Sequence, residues 1–455
     1  MRRPNPILAL LATLLFVAPV FPSAIELDPM APERQTRWPT RTIRISISSS
    51  FTSVAPGIKP GSDVAGAIRR ALDNWASAAN VSLVTVPSNQ QSISPAGSGG
   101  DGVSLITIAP TPENLASFND GSNTARTRLF FDRETGVISE ADIAINPFPY
   151  SPDGTALQFS TDGTRGTYDL ESTLAHEIGH LLGLGHSSVI GSTMQASQGL
   201  NGTYGLTAVT ERSLSDVDRF AVQDVYGPCP SLGAAEGRIL NSVDGRLLPV
   251  NVAHVWLEDL STGRVVASVR TESTGTFRIG CLPPSSYRAM VEYLDGLPDP
   301  LALTGAAAFK LGIGGRAFRS LEINSQLQIV ADKTTTLNYV FVPPQNSLPS
   351  LNPRLLGTNG ELSTIPVPAT SATKLTVYVS GEGLDQIPGN GISISSPLFT
   401  VDASSLTLQR FANSPPIISF EVTVGANVPA GDYSIRLQSN SGEVAFLPGG
   451  ITVGS

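Results

Sequence analysis

The chain has 455 residues, of which 41% are hydrophobic and 15% are charged, and its formal net charge is −9. This apolar content is enough for packed cores and excludes wholesale disorder. An acidic chain offers no basic surface for a phosphate backbone, which excludes a nucleic-acid partner as well. The length predicts about three domains.

The N-terminal end combines two arginines, an apolar run from Ile7 to Phe21 and a small residue at Ala24. This order is typical of a secretory signal, which we place at residues 1–24. The run is short and interrupted by proline, and no later segment approaches about 20 apolar residues, so a membrane span is not expected. An uncleaved anchor is the alternative. We expect a secreted chain, with periplasmic or cell-surface retention left open.

Strand and helix patterns follow in turn along the first half. Residues 41–48 alternate isoleucines with polar residues, as a half-buried strand does. Residues 62–80 carry an apolar stripe at helical spacing, and Ser62 or Asp63 could cap that helix. After four strand-like runs (VSLVTV, VSLITIA, TRLFF and SEADIAIN), Asp169 could cap a second helix. Residues 213–227 predict a last amphipathic helix.

Three of the four histidines lie in one stretch, AHEIGHLLGLGHSS, residues 175–188. His176 and His180 are four residues apart, so on a helix they can present two ring nitrogens to one point. Gly183 can end the helix in a left-handed conformation and turn the chain, which would return His186 to the same point. Three imidazoles leave the fourth tetrahedral position of a zinc ion open, as in a catalytic site.

Glu177 follows the first histidine about 100° further round the helix, where its carboxylate can hold a water rather than bind the metal. Zinc would lower the pKa of that water and polarise a substrate carbonyl. Glu177 would then accept the proton of the zinc-bound water and pass it to a leaving amine, which is amide hydrolysis. The alternative is that the histidines are packing or surface residues, and we adopt that interpretation for His254, which sits in a strand-like run.

Together these residues match the pattern HExxHxxGxxH and resemble the zinc signature of the metzincin peptidases. Ser187 after the last histidine, and Met194 eight residues beyond it, resemble the matrixin branch, the family of the matrix metalloproteinases. The likeness extends over residues 38–228. It implies one catalytic zinc on the three histidines, the glutamate as general base, and Met194 as an apolar floor under the ligands.

The sequence departs from that family in three ways. Matrixins often hold a second, structural zinc through three more histidines, but only His254 lies outside the motif, so we expect no such ion. No cysteine lies between the signal and the first strand, which excludes latency through a propeptide cysteine. Gln195 and Ala196 follow Met194, so the tyrosine ligand of the astacin and serralysin branches is missing.

Two further expectations come from the resemblance. Residues 195–213 lie where matrixins shape the pocket for the residue after the cut bond, and Tyr204 is a candidate lining residue. Calcium often supports such domains, although solvated loop charges are the alternative interpretation of the acids in these loops. The candidate acids are Asp120, Asp132, Glu140 and Asp142.

The second half of the chain has short alternating runs with turn signals every eight to twelve residues or so, which predict antiparallel sandwiches. Residues 233–342 resemble a carboxypeptidase regulatory-like, transthyretin-type sandwich, and residues 354–455 resemble an immunoglobulin-like domain of the TIG type. Residues 343–353 are a proline-rich, semi-rigid spacer. Cys229 and Cys281 form one bridge in the simplest interpretation, with two free thiols as the alternative.

The sequence therefore predicts a multidomain chain, with an α+β metzincin-type domain that has a mixed sheet and three main helices, followed by two all-β sandwiches. We expect a secreted zinc endopeptidase whose partners are protein or peptide substrates. The competing hypothesis is a surface-binding or adhesion protein in which the sandwiches carry the function and the metal domain is inactive.

Overall fold

The structure is a computed structural model, and its described residues are 24–26, 35–52, 55–118, 124–150, 154–205, 212–243, 245–294, 296–298, 309–311, 318–344, 350–411 and 414–454. The predicted signal, residues 1–24, lies outside them apart from Ala24. Within these ranges, no helix is both long enough and apolar enough to cross a membrane.

The first region, residues 24–227, contains a six-stranded mixed sheet in the order β1-β5-β6-β4-β2-β3. Its strands are β1 Ala24–Glu26, β2 Thr42–Ser48, β3 Ser82–Ser88, β4 Leu105–Thr107, β5 Ala125–Phe131 and β6 Ile138–Ile145. Strand β5 runs antiparallel to both β1 and β6, whereas the pairs β2–β3, β2–β4 and β4–β6 are parallel. Two short strands, β7 Phe159–Ser160 and β8 Tyr168–Asp169, pair separately.

Four helices accompany this sheet, and the three longest are those expected from the sequence. They are α1 Val64–Ala79, α2 Pro112–Ala116, α3 Leu170–Leu181 and α4 Asp216–Tyr226. Asp63 caps α1 by accepting a hydrogen bond from the amide of Gly66, and Ser215 caps α4 in a capping box with Asp218. Helix α3 packs against α1 and against β5 and β6, which places it beside the edge of the sheet.

The middle sandwich, residues 233–344, consists of two four-stranded sheets. In the first sheet the strand order is β10-β9-β13, and β18 also pairs with β9; in the second the order is β12-β11-β14-β17. Its strands are β9 Gly233–Val243, β10 Arg246–Pro249, β11 His254–Asp259, β12 Val265–Arg270, β13 Thr276–Leu282, β14 Ser286–Glu292, β15 Gly296–Pro298, β16 Phe309–Leu311, β17 Leu321–Gln328 and β18 Thr334–Val342. All pairs are antiparallel except β9–β18, because the chain crosses from β17 in one sheet to β18 in the other. Cys229 and Cys281 form a disulfide, which confirms the simpler interpretation of the two cysteines.

The C-terminal sandwich, residues 350–454, consists of the sheets β20-β19-β22-β25-β24 and β21-β27-β26-β23. Its strands are β19 Asn352–Thr358, β20 Glu361–Ser363, β21 Val367–Ala369, β22 Lys374–Glu382, β23 Ile392–Ile394, β24 Phe399–Gln409, β25 Ile417–Val424, β26 Gly431–Gln438 and β27 Val444–Val453. An α+β region followed by two all-β sandwiches confirms the predicted fold class. The domain boundaries and the spacer at 343–353 stay predictions, and residues 345–349 lie outside the described ranges.

The three regions meet in one apolar cluster that no sequence pattern predicts. Its buried members come from the first region, the middle sandwich and the C-terminal sandwich: Val189, Val217, Trp256, Val265, Met290 and Phe446. The rings of Trp256 and Phe446 meet edge to face with centroids 5.2 Å apart. The sandwiches are therefore packed against the region that carries the histidines.

Candidate metal centre

Helix α3 carries the first two histidines and is fixed at both ends. Asp169 accepts a hydrogen bond from the amide of Ser172 at the N-terminus, and Arg212 forms an ion pair with the same carboxylate. At the C-terminus Gly183 has a φ of +93°, the left-handed conformation that its predicted role requires. A Cβ at Gly183 would lie 2.4 Å from the carbonyl oxygen of Thr36, so the turn also depends on the absence of a side chain.

The turn brings the third histidine back to the helix, so that three Nε2 atoms converge. His180 Nε2 lies 3.1 Å from His176 Nε2 and 3.3 Å from His186 Nε2, and the possible ligand atoms of the triad all lie within 4.8 Å of one another. Nitrogens bound to one tetrahedral zinc at about 2.0–2.1 Å are about 3.3 Å apart. The spacing therefore fits a single zinc ion.

The outer nitrogens of two rings fix which nitrogen can face a metal. His176 Nδ1 lies 2.8 Å from the carbonyl oxygen of Thr193, and His180 Nδ1 lies 2.8 Å from that of Leu184. A carbonyl only accepts, so each Nδ1 carries the proton and each Nε2 presents its lone pair. Two lone pairs that face each other at 3.1 Å repel unless a cation lies between them, so the tautomers also favour a metal ion bound by the triad.

Burial favours the neutral form of two of the three rings, which is the form that binds a metal. Removal from water, followed by the charge of His176, lowers the pKa of His180 to about 3. Burial, followed by the charges of His180 and His176, also holds the pKa of His186 well below its ordinary value. These two rings therefore need no deprotonation before a metal binds at neutral pH.

The carboxylate of Glu177 lies beside this triad and is 5% exposed. Burial raises its pKa, while the nearby charge of His176 and a hydrogen bond from Thr127 lower it. The Thr127 hydroxyl on β5 donates that bond over 2.5 Å to Oε2. One carboxylate oxygen is thus held by the sheet edge, which orients the group that was predicted to act as base.

Met194 packs against helix α3 at Gly179, and its supporting role stays a prediction. A Cβ at Gly179 would lie 2.2 Å from Met194 Sδ and 2.8 Å from Trp75 Cζ2, so the methionine and the tryptophan pack directly on the helix backbone. Trp75 Nε1 also donates a 2.6 Å hydrogen bond to the carbonyl oxygen of Ala175. The base of the site is therefore apolar and close-packed.

Sequence reasoning missed the residues that orient the predicted ones. Thr127 had a detectable signal, because it is a polar residue at an inward position of β5, between the buried Ala125 and Leu129. The carbonyl of Thr193 left no signal in the sequence, since every residue has a backbone carbonyl. Asp218 also acts here, and its Oδ2 accepts a 2.8 Å hydrogen bond from the amide of Thr193.

The structure places Tyr204 away from the predicted pocket position. Its side chain is 2% exposed, and its hydroxyl donates to the carbonyl oxygen of Leu356 in the C-terminal sandwich over 2.7 Å. The residue therefore belongs to a contact between two regions, because a ring that reaches into the C-terminal sandwich cannot also face the metal.

The acids considered for calcium are occupied by backbone amides. Asp142 accepts from the amides of Ser94 and Leu105, Glu140 accepts from Gly102, and Asp132 caps its own turn. Asp120 lies outside the described residues. Among the residues that the structure covers, the histidine triad is the one cluster of three or more ligand-type side chains. Calcium has no support from this arrangement.

Comparison with known protein families finds a match for the region that contains the histidine triad. Residues 37–227 match the matrixin family model. Matrixins are zinc-dependent metallopeptidases, so the match supports a metallopeptidase at the level of the family and agrees with the histidine triad. The matched range is close to the residues 38–228 over which the sequence resembles that family. No curated protein shows a significant match to the chain.

Solved structures with some likeness to the chain contribute little to the assignment of a function. The minor pilin GBS52 of Streptococcus agalactiae is 15% identical, with 27% of this chain and 49% of that chain covered and a TM-score of 0.17. The pilin BcpA of Bacillus cereus is 11% identical, with 47% of this chain and 66% of that chain covered and a TM-score of 0.14. SGBP-B of Bacteroides ovatus is 14% identical, with 49% of this chain and 43% of that chain covered and a TM-score of 0.17. The chain spans about half the length of GBS52. With such TM-scores, these likenesses carry no argument about function.

Proposed function

We propose that this chain is a secreted, zinc-dependent endopeptidase that hydrolyses peptide bonds in proteins. The observation that carries the proposal is the convergence of three histidine Nε2 atoms beside a buried, oriented carboxylate. The match of residues 37–227 to the matrixin family supports the same reaction class. The disulfide between Cys229 and Cys281 supports export, since such bonds persist in oxidising compartments.

His176, His180 and His186 would hold the zinc ion through Nε2. When bound, zinc supplies a Lewis acid that polarises the substrate carbonyl and lowers the pKa of water. Glu177 accepts the proton of the attacking water on its carboxylate and delivers it to the leaving amine. Its raised pKa favours the first of these transfers, because a carboxylate with a higher pKa is a stronger base.

The substrate would lie along β5, on the side where β1 pairs in this structure. Strand β1 adds to this edge as an antiparallel strand, with Ala24, Ile25 and Glu26 opposite Phe130, Leu129 and Arg128. The edge thus accepts an extended segment next to Thr127, the residue that holds the proposed base. A peptide that binds by strand addition uses its backbone for affinity, which suits an enzyme acting on many sequences.

The test is cleavage of a denatured-protein library by the full-length secreted chain and by Glu177→Gln. We expect the wild-type chain to produce chelator-sensitive cuts and the variant to lose at least about 100-fold in rate, with one zinc per chain in both. Glu171→Gln is the matched control, because Glu171 is a buried glutamate on the same helix whose partner is Arg70. Near-normal cleavage by Glu177→Gln would reject the mechanism.

A wild-type chain that holds one zinc and cuts nothing would favour the competing hypothesis, a surface-binding protein whose sandwiches carry the function. The full chain must be used, because Val189, Val217 and Tyr204 of the first region are buried against the sandwiches.

A further inference from the structure

The C-terminal sandwich contacts the segment 187–205, which contains Met194, on both sides of that residue. Upstream, the amide of Ile190 donates a 2.8 Å hydrogen bond to the carbonyl oxygen of Pro448. The two backbones approach closely there, since a Cβ at Gly449 would lie 2.9 Å from the amide nitrogen of Gly191. Val189 and Ile190 are both buried. This contact is backbone to backbone, which fixes position more firmly than a pair of long side chains does.

Downstream, Tyr204 inserts into the C-terminal sandwich and uses all its polar groups there. Its hydroxyl donates to Leu356 O over 2.7 Å, its amide donates to Glu361 Oε2 over 2.7 Å, and its carbonyl accepts from Asn359 Nδ2 over 2.9 Å. The ring packs with Ile365. Tyr204 has a φ of +58°, an unfavourable conformation for a tyrosine that persists where surrounding contacts impose it.

Hydrogen bonds also join the same segment to helix α3. Thr193 O receives the hydrogen bond of His176 Nδ1, and Gln198 Nε2 donates to Thr173 Oγ1 over 2.7 Å. Glu177 accepts its hydrogen bond from Thr127 on β5, so both the segment and β5 border the metal centre. A substrate held along β5 would therefore have the segment 187–205 as the other wall of its cleft.

We propose that the C-terminal sandwich determines which substrate side chains the cleft accepts, by holding the segment 187–205 in place through Tyr204. This inference rests on the proposed peptidase function. Tyr204 is a positioning residue, because it acts through the segment that it holds. Gly199, Gly202 and Gly205 make this stretch costly to order, and the contacts of Tyr204 offset that cost.

The experiment compares full-length wild type with Tyr204→Phe, which keeps the ring and removes the hydroxyl that bonds to Leu356. Two properties are measured, the amide exchange rate of residues 195–205 and the cleavage-site profile on a peptide library with kcat and KM. We expect exchange to rise about fivefold to tenfold, the profile to broaden at the residues beside the cut bond, and KM to change more than kcat. Glu361→Gln, which alters the acceptor of the Tyr204 amide, should affect the same amides.

The control is Tyr287→Phe, which removes a similar hydroxyl bond, to Pro283 O over 2.7 Å, in the core of the middle sandwich. It should leave both properties unchanged. Unchanged exchange and profile in Tyr204→Phe, or equal changes in Tyr287→Phe, would overturn the inference. If the wild type cuts nothing, the peptidase function fails and the specificity role fails with it, while the exchange rates still decide whether the sandwich holds the segment.

Discussion

The two sandwiches have the same architecture but attach to the first region in different ways. The middle sandwich follows α4 in sequence, is tied to it by the Cys229–Cys281 disulfide, and packs β12 and β13 on that helix. The C-terminal sandwich begins more than a hundred residues later and contacts the segment that borders the metal centre. Distance in sequence therefore says little about influence on the site. The middle sandwich packs on helix α4 and reaches the segment 187–205 at Val189, whereas the C-terminal sandwich contacts that segment at both Ile190 and Tyr204.

Removing the disulfide should have the largest effect on stability and should separate the two roles. The cysteines are 52 residues apart, and a cross-link over that length contributes about 4 kcal/mol by limiting the unfolded chain. We expect the double variant Cys229→Ser/Cys281→Ser to lose about this much in denaturant unfolding. The amide exchange rates of residues 195–205 should not change. A parallel loss of protection there would show that the middle sandwich also holds the segment 187–205.

Truncation of Phe446 should weaken the point where the three regions meet. This ring is buried against Trp256, and replacing such a phenylalanine by alanine costs about 3 kcal/mol. We expect Phe446→Ala to lower the free energy of unfolding by that amount and to raise exchange at residues 187–191. Phe411→Ala is the control, because Phe411 is 56% exposed and its loss should change stability by less than about 0.5 kcal/mol. Equal effects of both variants would contradict the packing described.

Asp432 gives the C-terminal sandwich a dependence on pH. This carboxyl is buried, accepts a hydrogen bond from Thr452, and has its pKa raised to about 7 by burial. Between about pH 4 and pH 7 the folded chain holds a proton that the unfolded chain has lost. That stabilising contribution is complete below pH 4 and is lost as the pH rises towards 7.

Asp432→Asn should remove this dependence, since the amide mimics the protonated acid and can still accept from Thr452. The wild-type free energy of unfolding, relative to the variant, should fall by about 1.4 kcal/mol per pH unit between pH 4 and pH 7. Thermal unfolding of both proteins across that range measures the difference. A constant difference across the range would mean that Asp432 is ionised in the folded chain.

The smallest effect is expected for the exposed ion pair beside Tyr204. Arg165 lies 2.8 Å from Glu361 with 74% of its side chain exposed, and surface pairs of this kind contribute less than about 1 kcal/mol. We expect Arg165→Ala to leave stability within about 0.5 kcal/mol of wild type and exchange at residues 195–205 unchanged. A large rise in exchange would assign the holding of the segment to this ion pair instead of to Tyr204.

The features that could be predicted from the sequence are those that local physics determines. Helix α1 was expected at residues 62–80 and spans Val64–Ala79, because its cap and apolar stripe are both local signals. The cap at Asp169 and the turn at Gly183 were predictable for the same reason. The histidines converge because the helix and that turn leave the chain one way to return.

The contacts of the C-terminal sandwich could not be predicted. Tyr204 and Leu356 are 152 residues apart, and both lie outside any periodic pattern that would expose a buried face. The proline-rich stretch at 343–353 favoured a spacer, which gave no indication that the sandwich packs back on the first region. A contact between a loop and a hairpin depends on shape in three dimensions, and one sequence does not encode that in its spacing.

Gly179 is a structural requirement of this site that the zinc-binding motif does not specify. The pattern HExxHxxGxxH accepts any residue at this position, yet here Met194 and Trp75 occupy the space that a side chain would need. A randomised library that keeps only the motif residues would therefore lose most members at this position, although every one would pass a motif search. Transplanting helix α3 into another scaffold requires the methionine, the tryptophan and Thr127 to be carried along, so the portable unit of this site draws on at least four segments of the chain.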